Sequence, residues 1–215
     1  MQMAAERVWT STQESADGRE FCSIFNQTIR EDHADLAPHT ALISRAINLN
    51  LTISREGSLN DTDFPPLGMS WRGGGFMDNE ETRAFFVPGR KYRVPNYLAT
   101  SFDKGVTTAF LDRVKFEGVV NALVLWKVQV DKRGKTDNRF KCKHVNLIKA
   151  KTRTLQAHEQ QAGSEKEYLF AAFSPFTVTK VTWSNDPKNT PHLLEIEAAL
   201  DGKQETEDLP LAPWS

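Results

Sequence analysis

Apolar and polar positions alternate along 119–130, where Val120, Ala122, Val124, Trp126, Val128 and Val130 fall on one side. A period of two predicts a strand with one buried face. A different period governs the earlier chain. Phe21, Ile24, Phe25, Thr28 and Ile29 recur at three- and four-residue spacing, which predicts an amphipathic helix within 19–51. Glu31-Asp32-His33 interrupts it, and Pro38 opens a second helix carrying Leu42, Ile43, Ala46, Ile47 and Leu49. Gly57, Asn60 and Pro65-Pro66 mark 54–66 as a loop. Short strands are then expected at 68–72, running into Gly73-Gly74-Gly75, and at 94–101. A helix is expected over 103–115, with Ser101 or Asp103 as its N-cap and Val106, Ala109, Phe110 and Val114 on one face. Further strands fall at 144–150, 168–170, 176–183 and 193–200. Helices early and strands late predict an α+β fold, with a mostly antiparallel β-sandwich as its main body.

This pattern suggests one domain over 19–200. A polar leader occupies 1–18, and an acidic tail over 201–215 ends between Pro210 and Trp214. A chain of 215 residues can bury a sizeable core unaided. The 27 Lys+Arg against 28 Asp+Glu leave a net charge of -1, so no global field draws the chain to nucleic acid. No apolar run has the length of a membrane span, and Met1 to Ser15 lack the apolar core of a secretory signal. The expected location is cytoplasmic, or a host cell reached by another export route. Cys22 and Cys142 match no metal spacing and are read as small buried hydrophobes, with a disulfide between them left open. His33, His39, His144, His158 and His192 show no ligand spacing and are read as surface or satisfied core residues.

Three constellations carry candidate chemistry. In Trp71-Arg72-Gly73-Gly74-Gly75, the guanidinium offers a fork to phosphate and the glycines let the backbone approach a flat ring. The same residues also suit a surface arginine beside a flexible turn. Thr100 and Ser101 close a strand before a helix, where hydroxyls suit a carboxylate, a ribose or a plain helix cap. Glu165-Lys166-Glu167, if extended, places two carboxylates on one face, with Tyr168 and Phe170 turned into a core. A solvated strand edge is the other reading.

Taken in this order, the Arg-Gly strand, the Thr-Ser strand and Glu-x-Glu resemble the mono-ADP-ribosyltransferase family of the Arg-Ser-Glu type. The resemblance takes in Phe86-Val87-Pro88-Gly89 ahead of Tyr97-Leu98-Ala99-Thr100-Ser101. It also takes in Glu167-Tyr168-Leu169-Phe170 ahead of Ser174-Pro175-Phe176-Thr177-Val178, and spans about residues 20 to 200. It implies two perpendicular β-sheets around an NAD cleft, flanked by helices. It implies that Arg72 anchors the NAD phosphates and that Gly73, next to Gly74, meets the nicotinamide amide. Thr100 and Ser101 would line the nicotinamide pocket. Glu167 would be the catalytic carboxylate and Glu165 the acceptor-facing one, with 152–164 as the acceptor loop. The chain departs from the family at Ala99, where the family has a serine that contacts the catalytic carboxylate. Thr100 or Ser101 compensates through a shifted register, or turnover is slower.

The implied substrate is NAD and no metal is implied. The implied partner is a protein acceptor, with no nucleic acid or membrane partner, and the chain is expected to be a monomer. A Glu at position 165 implies arginine as acceptor. Transfer to a Thr or Ser hydroxyl, including a threonine of ubiquitin, stays open. So do NAD hydrolysis and a catalytically dead domain that binds NAD or a protein.

Overall fold

The computed structural model describes residues 9, 18–48, 66–114, 116, 120–131, 144–146, 166–198 and 208–213. Two helices come first, α1 (Phe21–Glu31) and α2 (Ala37–Asn48). α1 ends at Asp32, whose backbone turns left-handed at φ 48 and donates to Thr28 O. Then follow β1 (Met69–Phe76), α3 (Glu80–Phe85), β2 (Lys91–Val94), β3 (Leu98–Ser101) and α4 (Lys104–Leu111). The remaining strands are β4 (Ala122–Val130), β5 (His144–Asn146), β6 (Glu167–Phe170), β7 (Ser174–Thr182) and β8 (His192–Ala198).

The eight strands hydrogen-bond in the order β2-β7-β8-β4-β1-β3-β6-β5. All pairings are antiparallel except β4 with β8. β6 and β7 lie five places apart in that order. Yet only 171–173 separate them in sequence, and Phe170 and Phe176 stack edge-on at 5.4 Å. The sheet therefore curls until its two ends face each other, and the expected two-layered body arises from one continuous hydrogen-bonded order. Its interior holds Phe76, Phe86, Tyr92, Val124, Trp126, Tyr168, Phe170 and Phe176 among others. β4 supplies the alternation read from the sequence, buried at every second residue from Ala122 to Val130.

Three expectations change. The glycines do not form a turn: β1 continues through them, pairing Gly73, Gly74 and Gly75 with Leu125, Val124 and Leu123. Their small size serves packing. A Cβ on Gly73 would lie 2.3 Å from Thr107 O of α4, and one on Gly75 would lie 2.7 Å from Ala122 O. The single strand expected over 94–101 is two strands, since β2 pairs with β7 whereas β3 pairs with β1 and β6. Pro95 lies between them and has no N–H to give to a ladder. α3 has no counterpart in the expected elements. Asn79 starts it by accepting from Thr82 N at 2.8 Å.

Other expectations hold. Asp103 is the N-cap of α4, its Oδ1 accepting from Gly105 N at 2.9 Å. His192 is a satisfied core histidine. Its Nδ1 accepts from Ser184 N at 2.8 Å, so Nε2 donates to Asp78 Oδ2 at 3.1 Å. Burial pushes the His192 imidazole below its ordinary pKa, and the hydrogen bond from Arg83 holds the Asp78 carboxyl below its own. Cys22 carries a free thiol and is half-buried. Cys142, His158 and the loop at 54–65 lie outside the described residues. The segment 208–213 runs beside β2, where Ala212 N donates to Arg93 O at 2.9 Å and Ala212 enters the core.

Candidate functional site

β3 lies between β1 and β6, and its register decides what meets. Trp71 pairs with Ser101 on β1–β3, and Ser101 pairs with Glu167 on β3–β6. Directly opposed residues share a face, so Trp71, Ser101 and Glu167 form a row across three strands. Two positions from Ser101, Ala99 lies on the same face of β3. α4 covers β1 at the close approach that Gly73 permits.

An open cleft results, lined by Trp71, Arg72, Gly73, Ala99, Thr100, Ser101, Thr107, Phe110 and Glu167. Five positions singled out from the sequence, Arg72, Gly73, Thr100, Ser101 and Glu167, thus share one cavity. Gly74 is not on its lining. Instead it packs against the Trp126 ring, which a Cβ would approach to 3.2 Å.

The polar atoms have defined partners. Arg72 Nη1 donates to Ala99 O at 3.0 Å, which ties the guanidinium to the middle strand. Burial pushes the Arg72 pKa below that of an ordinary arginine, and the nearby Arg30 guanidinium on α1 adds to this. Arg30 is itself lowered by burial. The Arg30 charge thus adds to the cost of keeping the Arg72 guanidinium charged, a cost that an anionic group beside Arg72 would offset. Thr100 is committed to the scaffold, because its hydroxyl donates to Tyr168 O at 2.7 Å. Ser101 Oγ accepts from Asp103 N at 3.0 Å at the start of α4. Trp71 carries Lys104 Nζ 5.1 Å from its ring centroid.

Glu167 is half-buried and opens β6. Its Oε1 accepts from the indole Nε1 of Trp9 at 3.0 Å. The Cys22 thiol lies near enough to feel it. Burial first, then Glu20, with a smaller contribution from Glu167, push that thiol up to about 11 and keep it protonated. Lys166 adopts φ 46, a left-handed backbone that favours glycine. The extended backbone expected through Glu165-Lys166-Glu167 therefore begins only at Glu167. Lys166 Nζ pairs with Asp103 Oδ2 at 2.9 Å, and Phe102 N donates to Lys166 O at 3.1 Å, which pins this turn to the start of α4. Glu165 and the loop at 152–164 lie outside the described residues.

Sequence reasoning missed Trp9, Arg30, Thr107 and Phe110. Arg30 had a weak signal, as a cation in the last turn of an amphipathic helix. Trp9 had none, because it falls in a stretch read as a polar leader and meets Glu167 across 158 positions.

No family model and no curated protein matches the chain. Solved structures do. The Vis toxin of Vibrio splendidus, an ADP-ribosyltransferase, superposes with a TM-score of 0.61 at 14% identity, covering 97% of this chain and 79% of that one. Vis has also been solved with agmatine. The ADP-ribosyltransferase HopU1 of Pseudomonas syringae gives 0.55 at 16% identity, covering 92% and 75%. Exoenzyme S of Pseudomonas aeruginosa, solved with human 14-3-3 beta and carba-NAD, gives 0.53 at 12% identity, covering 96% and 78%. Among the described residues no helix is long and apolar enough to cross a membrane. The curled sheet and its leading helices are those of the ADP-ribosyltransferase fold.

Proposed function

We propose that the chain transfers ADP-ribose from NAD to a side chain of a protein, with arginine as the favoured acceptor. The observation that carries this reading is a single cleft with Arg72 on one wall and Glu167 on the other, joined through the Ser101 register. Both signs of charge are needed, because NAD presents a pyrophosphate at one point and develops positive charge at another.

Arg72 holds the pyrophosphate by charge-assisted hydrogen bonds, with the Arg30 charge adding to the positive field there. The backbone at Gly73 receives the nicotinamide amide, since no side chain blocks the approach. Trp71 and Phe110 supply apolar walls. The bond that breaks joins nicotinamide to C1′ of the ribose, and its electron pair leaves with nicotinamide. Positive charge grows on the ribose as in glycoside cleavage. The Glu167 carboxylate faces that charge in a half-buried setting, where it stabilises more than it would in water. The acceptor nitrogen then bonds to C1′ from the vacated side. In this reading Glu165 binds the guanidinium and takes the proton it releases. Vis, solved with agmatine, has bound a guanidinium compound on the same fold.

Incubation with labelled NAD and a cell extract tests the proposal. Label on protein is the expected result. Free ADP-ribose alone would make the chain an NAD hydrolase, and neither product would leave a binding domain. Neutral hydroxylamine then reads the linkage. Arginine adducts are released, whereas label that resists it and maps to a Ser or Thr hydroxyl overturns arginine as acceptor.

A further inference from the structure

Glu167 is gripped from the helical side of the sheet as well as facing the cleft. Trp9 is buried, 4% exposed, and is not among the residues lining the cavity. Its ring is wedged edge-on against Phe25, with centroids 5.9 Å apart at 87°, and tilted against Tyr97 at 5.4 Å. Tyr97 is itself fixed, its hydroxyl lying 2.6 Å from Asn48 Oδ1 and its N–H donating to Asn26 Oδ1 at 3.2 Å. The indole therefore has little freedom, and its Nε1–H points at Glu167 Oε1 at 3.0 Å. Ala99 packs against this same cluster on the face that carries Glu167.

We propose that Trp9 is a positioning residue for Glu167, setting the carboxylate's orientation for the cleavage of NAD. The inference rests on the transferase reading for its kinetic consequence, and on geometry alone for the contact. An indole N–H only donates, so it holds one carboxylate oxygen as acceptor along a fixed direction. It is also rigid, with two side-chain torsions locked by aromatic neighbours. A carboxylate that opposes developing charge acts best when it does not have to reorient at the moment of reaction. The methyl of Ala99 has no group to compete for Oε1, and the donor arrives from Trp9 instead.

Trp9→Phe tests the role, because it keeps an aromatic ring against Phe25 and Tyr97 and removes only the N–H. The expected result in the full chain is a kcat for NAD cleavage lower by roughly tenfold, the scale of one hydrogen bond to a charged group. KM for NAD should stay within about twofold, because Trp9 does not line the cleft, and the melting temperature should stay close to wild type. Adding Ala99→Ser should restore part of the lost kcat, by supplying a hydroxyl donor on the same face. An unchanged kcat in Trp9→Phe overturns the proposal. So does a loss of activity that tracks a loss of melting temperature, which is what packing alone would produce.

The contact has its own readout. In a ¹⁵N–¹H spectrum the indole cross-peak that vanishes in Trp9→Phe should move in Glu167→Gln. A peak that stays in place overturns the contact. A wild-type chain that cleaves no NAD yet shows this shift overturns the transferase reading and leaves the Trp9–Glu167 bond standing.

Discussion

The two buried clusters among the described residues are held together differently. The one inside the curled sheet is a stack of rings: Phe76 on Phe86, Tyr92 against Phe176, Phe170 against Phe176. The other joins the sheet to α1 and α2 through Trp9, Phe25, Ala46, Ile47, Tyr97 and Leu169. It is laced with polar bonds, from Tyr97 to Asn48, from Tyr97 to Asn26 and from Trp9 to Glu167. Dispersion and area burial resist unfolding but barely direct any one atom. Hydrogen bonds add less net stability but fix orientation. The sheet core therefore carries the fold, and the helical cluster aims the groups at the cleft.

Substitutions can break that division or sharpen it. Phe176→Ala, in the fully buried sheet core, should cost about 3–5 kcal/mol in a denaturant titration, the usual range for an aromatic cavity. A cost under about 1 kcal/mol would mean the stack is not the main support. Glu167→Gln lies at the other extreme. It should lower both transfer and hydrolysis of NAD by about 100-fold or more, with a normal melting curve. Full turnover in that variant removes Glu167 from the chemistry. Arg72→Ala should raise the NAD requirement by roughly tenfold, and Arg72→Lys should recover only part of it, because a point charge cannot reproduce the planar fork. Equal NAD kinetics for the lysine variant and wild type would dispose of the bidentate contact. Tyr97→Phe should cost about 1 kcal/mol of stability by removing the hydroxyl's bonds to Asn48 Oδ1 and Ser44 O, while the ring keeps its place. Burial has already pushed the Tyr97 phenol up to about 12, so the hydroxyl remains a donor throughout the measurable range. A loss comparable to that of Phe176→Ala would blur the distinction between the clusters.

Local pattern made some of this legible and not the rest. The alternation along β4 was readable because every second side chain enters one core. The cap at Asp103 was readable because it involves neighbours two residues apart. The three glycines misled, since a glycine run is open to both turn and strand, and the space they leave is taken by Thr107 of α4 from 34 positions away in the case of Gly73. The join between β2 and β3 was missed because burial continues through Pro95-Asn96-Tyr97 while the hydrogen-bonding partner changes. Arg72, Ser101 and Glu167 were found through their order and neighbours in sequence. Their presence on one cleft depends on strand register.

The sequence by itself determined the α+β class, the apolar faces, the cap before α4 and the residue types available for chemistry. These depend on periodicity and near neighbours, which the chain carries in one dimension. Only the tertiary structure decided that Trp71, Ser101 and Glu167 stand in one row and that Trp9 holds Glu167. Each of those is a contact between distant segments, fixed by which strands pair in which register and by which helix then covers them.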